Sequence, residues 1–534
     1  MTEIFNYLFQ YLEKEGITIN KSEFEFQIQS HPDYPTLVSI ADTLSFFNID
    51  NGALSIEKSE IELLPDRFVA LLDIENNEPR FYLVEKKDDV YFLDNNKQKK
   101  KLSKQELELR WKNIVLLVEK SATDNFTKTN KSKLFWILSF LCLGLFTLMV
   151  MQFQISLEIK FFFVFPIVGV LFSVAALKDL FGTNSELLNN FCNMTSFSSC
   201  TTIVSSSKWK IFKIVNFSDL SMIFFGSQFF GLLLFLFATD TTTYFSIQKI
   251  ILLCSIPVLL TSVYYQKFVE KKWCPICLVI IAVILLELVY IYSLLQISIE
   301  FLMYSIIIFG FVFVSVTLIW FGLKKLLTQQ KELIEFQIKG NRFMRNYKIF
   351  KNNLLAADPI ENIQMLSTKP IVLGNPNASL KIVVVTSPFC GFCAEAHIII
   401  EEILEKYSEK LCFDIRFNFN EANGDNNSKK IHQQLLSVYF NLGQRAFIEA
   451  MHDWFEDKNE PNIFKNLEIN ELLSDLILEE QFNWNQINHI NYTPAIIING
   501  YFLPKEYDRN DLKYFINDLA DDESLAVVYE EKLN

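Results

Sequence analysis

Lys271–Leu286 reads KKWCPICLVIIAVILL. Two thiols with the spacing of a disulfide-exchange pair run without a break into an uncharged apolar stretch that is too hydrophobic for an ordinary soluble helix. Pro275 suits the first turn of a helix, where its missing N–H would have had no partner, and Cys274 stands at the cap position. The stretch therefore puts reactive sulfur where a membrane helix begins, with Cys277 one turn further in.

Comparable uncharged runs lie at 134–153, 161–177, 220–239, 250–266, 274–286 (reaching about 297 past Glu287) and 301–323. Each can cross about 30 Å of hydrocarbon as a helix, so the reading is a polytopic helical membrane protein with about six spans. Hydrophobic residues make up 50% of the chain, and acids outnumber bases 62 to 49 for a net charge of -13, which argues against a nucleic-acid partner. The start, MTEIFNYLFQYLEKEG, carries acids where a signal peptide needs a basic region, so no cleavable signal is expected. Glu287 sits mid-span, where an unpaired charge costs about 2.5–3.5 kcal/mol or more; interhelical hydrogen bonding and a proton or quinone role are both open. Only one connection between spans is long, Lys178 to Asp219. With an even number of spans, both chain ends, that loop and Cys274 fall on one membrane face.

Nine cysteines are present, none before Cys142, and six form spaced pairs: Cys192 with Cys200, Cys274 with Cys277, and Cys390 with Cys393. Cys142 and Cys254 lie in apolar runs and Cys412 in a strand-like run, so these three are assigned to packing.

The ends are mixed and charged. Residues 1–120 read as a small α+β domain, with FVALLDI, RFYLVEK and VYFLDN as strands and LSKQELELRW as a helix, followed by a polar linker at 121–133. After the membrane block at 134–325, a basic helical linker (326–370) leads to an α/β domain at 371–534: strand LKIVVVT, helix FCGFCAEAHIIIEEILEKYSE, strand LCFDIRFNF, a helical insertion, strand TPAIIING and a last helix. That is a thioredoxin-like order. A cysteine at a helix N-terminus faces unpaired N–H groups that stabilise thiolate, so Cys390 is the attacking thiol and Cys393 the resolving one. A half zinc site or an inert pair are the alternatives. Thr493-Pro494 fits the loop that packs on the thiols, where a cis bond would expose backbone to an extended substrate. His397 is a weak candidate for tuning, set against a plain solvated histidine. CNMTSFSSC, holding Cys192 and Cys200, reads as a swinging shuttle, with a structural staple or a four-thiolate zinc site shared with Cys274 and Cys277 as alternatives. The partner suited to a dithiol at the lipid edge is a quinone, which is apolar and takes two electrons.

On these residues, the block 134–325 resembles the vitamin K epoxide reductase family: a paired-cysteine loop followed by serines (CNMTSFSSCTTIVSSSKW), then spans, then C-x-x-C opening a helix. The block 371–520 resembles the thioredoxin-like, DsbA-type oxidoreductases that bacterial members of that family carry as a fusion. The resemblance implies a four-helix-bundle redox core and a relay in which Cys390 exchanges with Cys192, Cys200 with Cys274, and Cys277 passes electrons to menaquinone or ubiquinone, with no metal. The family's loop serine falls at Ser205 or Ser206, and Pro494 supports the thioredoxin-like pair. Two departures stand out. SMIFFG replaces a segment where relatives often carry a polar Asn, and the run 134–153 is additional to the family core.

HPDYPTLVSIADTL, PRFYLVEKKDDVYFLD and LSKQELELRW resemble the papain-like cysteine peptidase domain of bacteriocin-processing exporters. That chemistry needs a nucleophilic Cys and a His. This domain has no Cys and places Arg80 where the His is expected, with Asp94 as a remnant of the triad, so it is catalytically dead. A peptide-docking role and a purely structural one both remain open for it.

The expected activity is that of a quinone-linked thiol-disulfide oxidoreductase in a bacterial inner membrane, making disulfides in secreted or exported cysteine-containing proteins or peptides. Thiol-driven reduction of a quinone-type substrate is one alternative, and a peptide-export accessory is another. An oxidising relay belongs on the periplasmic face. Lysines near the span ends cluster on the cysteine side, with only Lys160 and Lys249 opposite, and they argue for the cytosolic face.

Overall fold

The computed structural model describes residues 5–75, 78–87, 90–95, 98–119, 131–177, 217–269, 271, 273–293, 299–360, 370–422, 424–457, 463–464 and 467–525. The chain divides into two compact units, Met1–Glu25 with Leu44–Gln337, and Phe26–Thr43 with Ile338–Asn534.

In the first unit, β1 (Asp50–Ser55), β2 (Arg67–Glu75), β3 (Glu78–Lys87), β4 (Val90–Asn95), β5 (Gln98–Ser103) and β6 (Trp111–Glu119) form a six-stranded sheet in the order β1-β6-β2-β3-β4-β5. All the described pairings in it are antiparallel. Alternation places Phe68, Ala70 and Leu72 of β2 with Tyr82 and Val84 of β3 and Tyr91 and Leu93 of β4 in one core. The helix Lys104–Arg110 starts in a capping box, Ser103 with Glu106, which satisfies two end N–H groups. Tyr11, on the helix Asn6–Lys14, donates its hydroxyl to the Arg67 carbonyl at 3.1 Å and accepts the Val118 N–H at 3.3 Å.

The apolar helices of this unit invert the usual arrangement of residues. Phe311, Leu318 and Ile319 face outward while Gln228, Gln248, Glu287 and Ser173 are buried. Such a surface is stable only against hydrocarbon, and such an interior only if its polar groups bond across helices. Among the described residues, five segments are long and apolar enough to cross a membrane: Leu157–Ala176, Ser218–Phe237, Thr241–Val269, Pro275–Ser293 and Met303–Met344. The sixth expected run forms the helix Lys131–Gln152, of which Ile137–Gln152 is the described apolar part.

Val164–Ala176, Phe217–Phe237, Thr241–Tyr264 and Pro275–Ser293 pack in a closed ring, each against two others, which is a four-helix bundle. The close contact depends on Gly169: a Cβ there would lie 2.3 Å from the Phe225 ring. Met303–Met344 is tied in through Asp219, whose buried carboxylate accepts from Trp320 Nε1 at 3.2 Å and Lys324 Nζ at 2.6 Å. The last span continues without a break into the basic helical linker. Met303–Met344 is one helix of 42 residues, because KKLLTQQKELIEFQIK is built of good helix formers and holds no proline.

The second unit holds a five-stranded sheet in the order β11-β10-β8-β9-β7, from β7 (Ile371–Gly374), β8 (Leu380–Thr386), β9 (Leu411–Phe417), β10 (Ala495–Ile498) and β11 (Tyr501–Phe502). β8 and β9 run parallel, joined by the helix Gly391–Tyr407, and β10 returns antiparallel to β8. The described insertion consists of the helices Asn426–Leu442, Gln444–Asp457 and Glu471–Ile487. Arg345 lies 3.7 Å over the Tyr514 ring and donates to Gln27 Oε1 at 2.9 Å, while Arg342 lies 4.7 Å over Tyr34, which fastens residues 26–43 into this unit. The expected architecture is present: membrane helices with a four-helix bundle, a small N-terminal α+β sheet domain and a thioredoxin-like sheet.

Candidate functional site

Cys274 is fully buried and Cys277 half-buried at the start of Pro275–Ser293. The Cys274 sulfur accepts the Cys277 N–H at 3.3 Å, so the thiol caps its own helix. Around the pair pack Phe172, Ala175 and Ala176 from one neighbouring helix, Tyr265 from the turn that ends another, and Ile276 and Ile280. Gln266 was not singled out from the sequence. It is buried in the π-helical turn Tyr265–Val269 and accepts the Cys274 N–H on Oε1 at 2.9 Å. The clue was a lone amide in the otherwise apolar run VYYQ.

Deeper in the bundle, Gln228 Nε2 donates to Glu287 Oε2 at 2.9 Å and to Gln248 Oε1 at 3.2 Å, and the Tyr244 hydroxyl donates to the Gln228 carbonyl at 2.9 Å. Glu287 thus takes part in interhelical hydrogen bonding. Its other oxygen, with Gln228 Oε1 and Gln248 Nε2, has no partner among the described residues.

In the second unit Cys390 is the N-cap residue of Gly391–Tyr407, half-buried, and Cys393 lies fully buried one turn in. Thr493 meets the pair: Cys390 Sγ donates to the Thr493 carbonyl at 3.4 Å, and Thr493–Pro494 is cis. The Ser387 N–H reaches Cys393 Sγ at 3.5 Å. Burial pushes the Cys390 thiol up, but hydrogen bonds with the Thr493 side chain, with Cys393 and with backbone N–H groups outweigh it and hold Cys390 below the ordinary thiol range. Burial raises Cys393, with Thr386 and the Ser387 N–H opposing the shift. The pair is therefore graded, with an outer thiol that ionises readily and an inner one that resists.

His397 is not a solvated surface histidine. It is buried, its ring against Phe455, with Nε2 at 3.2 Å from Thr386 Oγ1. Burial pushes it down to about 4. His432, also unforeseen, packs its ring near Phe389, Phe417 and Phe419 and is held at about 4 by burial, against a bond to the Ser428 carbonyl. Cys412 is buried in β9, with burial pushing it up to about 11. Cys142 and Cys254 face outward from their helices rather than into a core. Arg80 is exposed on β3 opposite Leu72, and Asp94 pairs with Leu83 across β3 and β4.

Cys192, Cys200, Ser205 and Ser206 lie outside the described residues, and so do the shuttle, staple and four-thiolate readings that depend on them. Among the described residues no group of three or more His, Cys, Asp or Glu side chains is placed to hold a metal ion.

Family models match three separate stretches: the Peptidase C39 family over residues 10–123, the Vitamin K epoxide reductase family over 160–292, and Thioredoxin over 366–518. No curated protein matches the chain. Among solved structures, the chain is similar to the catalytic domain of Proteus mirabilis ScsC, at 19% identity over 32% of this chain and 99% of that one, with a TM-score of 0.26. It is similar to oxidised BdbD from Bacillus subtilis at 17% identity, over 29% of this chain and 94% of that one, with a TM-score of 0.24. A periplasmic thioredoxin-like protein from Salmonella enterica serovar Typhimurium matches at 16% identity, over 30% and 95% of the two chains, with a TM-score of 0.25. With a C-x-x-C pair in a vitamin K epoxide reductase family stretch and another in a thioredoxin stretch, on a chain that also carries a Peptidase C39 family stretch, the protein is a membrane thiol-disulfide oxidoreductase.

Proposed function

We propose that the protein oxidises dithiols to disulfides and delivers the electrons to a quinone in the bilayer. The observation that carries this reading is the pairing of two C-x-x-C sites of opposite setting. Cys390 is an exposed-side, readily ionised thiol in a sheet domain, whereas Cys274 and Cys277 open a helix among apolar side chains of a membrane bundle.

A substrate thiolate attacks the Cys390–Cys393 disulfide at Cys390, and a second substrate thiol then displaces Cys390 as the substrate disulfide forms. The reduced pair passes its two electrons to a Cys192–Cys200 disulfide, which passes them to Cys274–Cys277. The Cys274–Cys277 dithiol, acting through Cys277, closes to a disulfide as it reduces the quinone by two electrons, and the two protons that complete the quinol balance those released by the substrate thiols. The quinone is a substrate here. Phe172, Ala175, Tyr265 and Ile280 supply the apolar lining a quinone ring requires.

On this reading the protein sits in a bacterial cytoplasmic membrane with its thiols in the periplasm, and secreted or exported cysteine-containing proteins or peptides are the substrates. The N-terminal sheet domain, whose peptidase-like stretch has no cysteine to serve as nucleophile, docks peptides without cleaving them on this reading. The cluster of lysines near the cysteine-side span ends favours a second reading, with a cytosolic face and the quinol rather than the disulfide as the useful product.

The test is the full chain in liposomes loaded with ubiquinone or menaquinone and supplied with a reduced dicysteine peptide. Quinol and peptide disulfide should form in equal amounts, and Cys277→Ser should abolish both. Failure of the wild type to form quinol sinks the redox reading. Labelling Cys390 in intact cells with an impermeant thiol reagent after mild reduction separates the two orientations.

A further inference from the structure

The four residues that lead into the thiol pair, Ser387-Pro388-Phe389-Cys390, form a turn closed by the Cys390 N–H on the Ser387 carbonyl at 3.1 Å. Proline suits the second position of such a turn, because its ring fixes φ at about −65°. It also restricts the residue before it, so few torsions are free between the Ser387 N–H and the Pro388 carbonyl. Both ends of this stiff piece are engaged. The Ser387 N–H reaches the Cys393 sulfur at 3.5 Å, and the Pro388 carbonyl accepts the indole N–H of Trp454 at 2.8 Å. What holds one end therefore aims the other.

Trp454 lies outside the strand–helix–strand order that carries the thiols. It belongs to Gln444–Asp457, in the helical insertion, 66 residues after Pro388 along the chain. It is buried, and its ring meets that of Phe389 edge-on with centroids 5.5 Å apart. The same helix brings Phe455 to 5.2 Å from His397 and His452 Nδ1 to 3.1 Å from Glu401, so it braces the thiol helix as well as the turn before it. An indole N–H is a donor only, and its one bond here goes to Pro388. The exchange reaction described above gives that bond no role.

We propose that Trp454 is a positioning residue for the resolving step: by holding the Pro388 carbonyl it keeps the Ser387 N–H on the Cys393 sulfur as that sulfur becomes the attacking thiolate. The inference rests on the reading of 390/393 as an exchanging pair. Burial of Cys393 works against its thiolate, and this N–H opposes burial, since a hydrogen bond to a charged group is stronger than one to a neutral group. In the step, Cys393 yields its proton to water, and its sulfur bonds to the Cys390 sulfur as the bond from Cys390 to the partner sulfur breaks. The partner leaves with that electron pair as a thiolate and takes a proton from water. Over both steps of the exchange the 390/393 dithiol loses two electrons and two protons, and the partner disulfide gains them. Without the Trp454 N–H the Pro388 carbonyl is released, the turn can rotate, and the Ser387 N–H leaves the sulfur.

The test uses the full chain in detergent with Cys192, Cys200, Cys274 and Cys277 changed to Ser, and glutathione disulfide as the probe. The first step, attack by Cys390, is read with Cys393→Ser added, so that the mixed disulfide accumulates. The second, release of glutathione from Cys390 by Cys393, is read by acid quench and mass of the peptide that holds both thiols. Trp454→Phe keeps an aromatic ring beside Phe389 and removes the donor. It should leave the first step at the parent rate. It should slow the second about tenfold at pH 7 by moving its pH–rate curve up by about one unit, which is what a lost hydrogen bond to a thiolate corresponds to. A merely structural role would slow both steps or neither, and would not move that curve. The tryptophan isostere with sulfur in place of the ring N–H, placed at 454 by codon suppression, should behave as Trp454→Phe does, and tryptophan placed by the same route should match the parent.

A second step of parent rate and pH profile in the isostere overturns the positioning role alone, and so does equal slowing of both steps. Absence of any first step in the parent overturns the reading of 390/393 beneath it as well. If Trp454→Phe does not fold, the isostere decides, since it keeps the shape of the ring.

Discussion

Gln266 Oε1 accepts the backbone N–H of Cys274 at 2.9 Å, so the amide of one helix's last turn holds the first thiol of the next. Both residues are fully buried. Gln266→Leu keeps the volume but leaves a buried N–H without its acceptor, at a cost of about 1–3 kcal/mol. We expect quinone reduction to fall about tenfold, since 1.4 kcal/mol corresponds to one decade, together with a lower detergent melting temperature. Unchanged turnover would remove Gln266 from the positioning of Cys274.

The thiolate is the nucleophile, so alkylation of Cys390 should rise with pH and level off above its pKa. Because hydrogen bonds hold that thiol below its ordinary range, the half-maximum should lie below the free-thiol value of about 8.5. In Cys390→Ser, Cys393 should label far more slowly and with a midpoint above that value, following its raised pKa. Iodoacetamide kinetics on the reduced chain from pH 4 to 10 read both.

His432 is neutral in the folded state down to about pH 4, whereas an unfolded histidine takes a proton near 6.5. Between those values the unfolded chain binds more protons. Stability is therefore intact above about pH 6.5 and declines as pH falls toward 4, by up to about 3 kcal/mol for this one residue. His432→Phe should flatten that decline, seen as slower hydrogen exchange of β8 and β9 amides at pH 5 than in the parent after correction for intrinsic rates. A parent-like acid profile in the variant would assign the decline to other groups, His397 first among them.

Glu287 serves the bundle through its bond from Gln228. Glu287→Gln preserves an acceptor there and should leave both melting temperature and quinol formation near the parent values. Glu287→Leu strands the Gln228 amide and should destabilise by about 1–3 kcal/mol. If Glu287→Gln melts normally but stops turnover, a proton-transfer role replaces the packing role.

The spans, the N-terminal strands and the strand–C-x-x-C–helix order were legible because hydrophobic period and uncharged length are properties of contiguous sequence. The pairs 274/277 and 390/393, with Thr493-Pro494, could be named for a similar reason: a thiol at a helix start has a local signature. The supporting residues could not. Gln266, Thr386 and His397 are ordinary in their own segments and gain meaning only from what packs against them across long sequence separations. His397 has the spacing of a helix surface position, and its burial depends on Phe455, far down the chain. The capture of residues 26–43 by Arg342 and Arg345 is likewise invisible to any local pattern. The last span runs on into its basic helical linker as one helix because Lys and Glu continue a helix well.

The inverted arrangement of the apolar helices, with amides and a carboxyl inside and Phe311, Leu318 and Ile319 outside, bears on more than where the protein resides. On the proposed function, it confines the meeting of Cys277 with its oxidant to a thin layer. A reactant dissolved in that layer searches for the thiol over a surface rather than through a volume, and it cannot drift off into bulk water between collisions. The effective concentration of any lipid-soluble oxidant at this thiol is therefore set by its amount per area of membrane, so turnover should track the oxidant-to-lipid ratio and be indifferent to dilution of the vesicles.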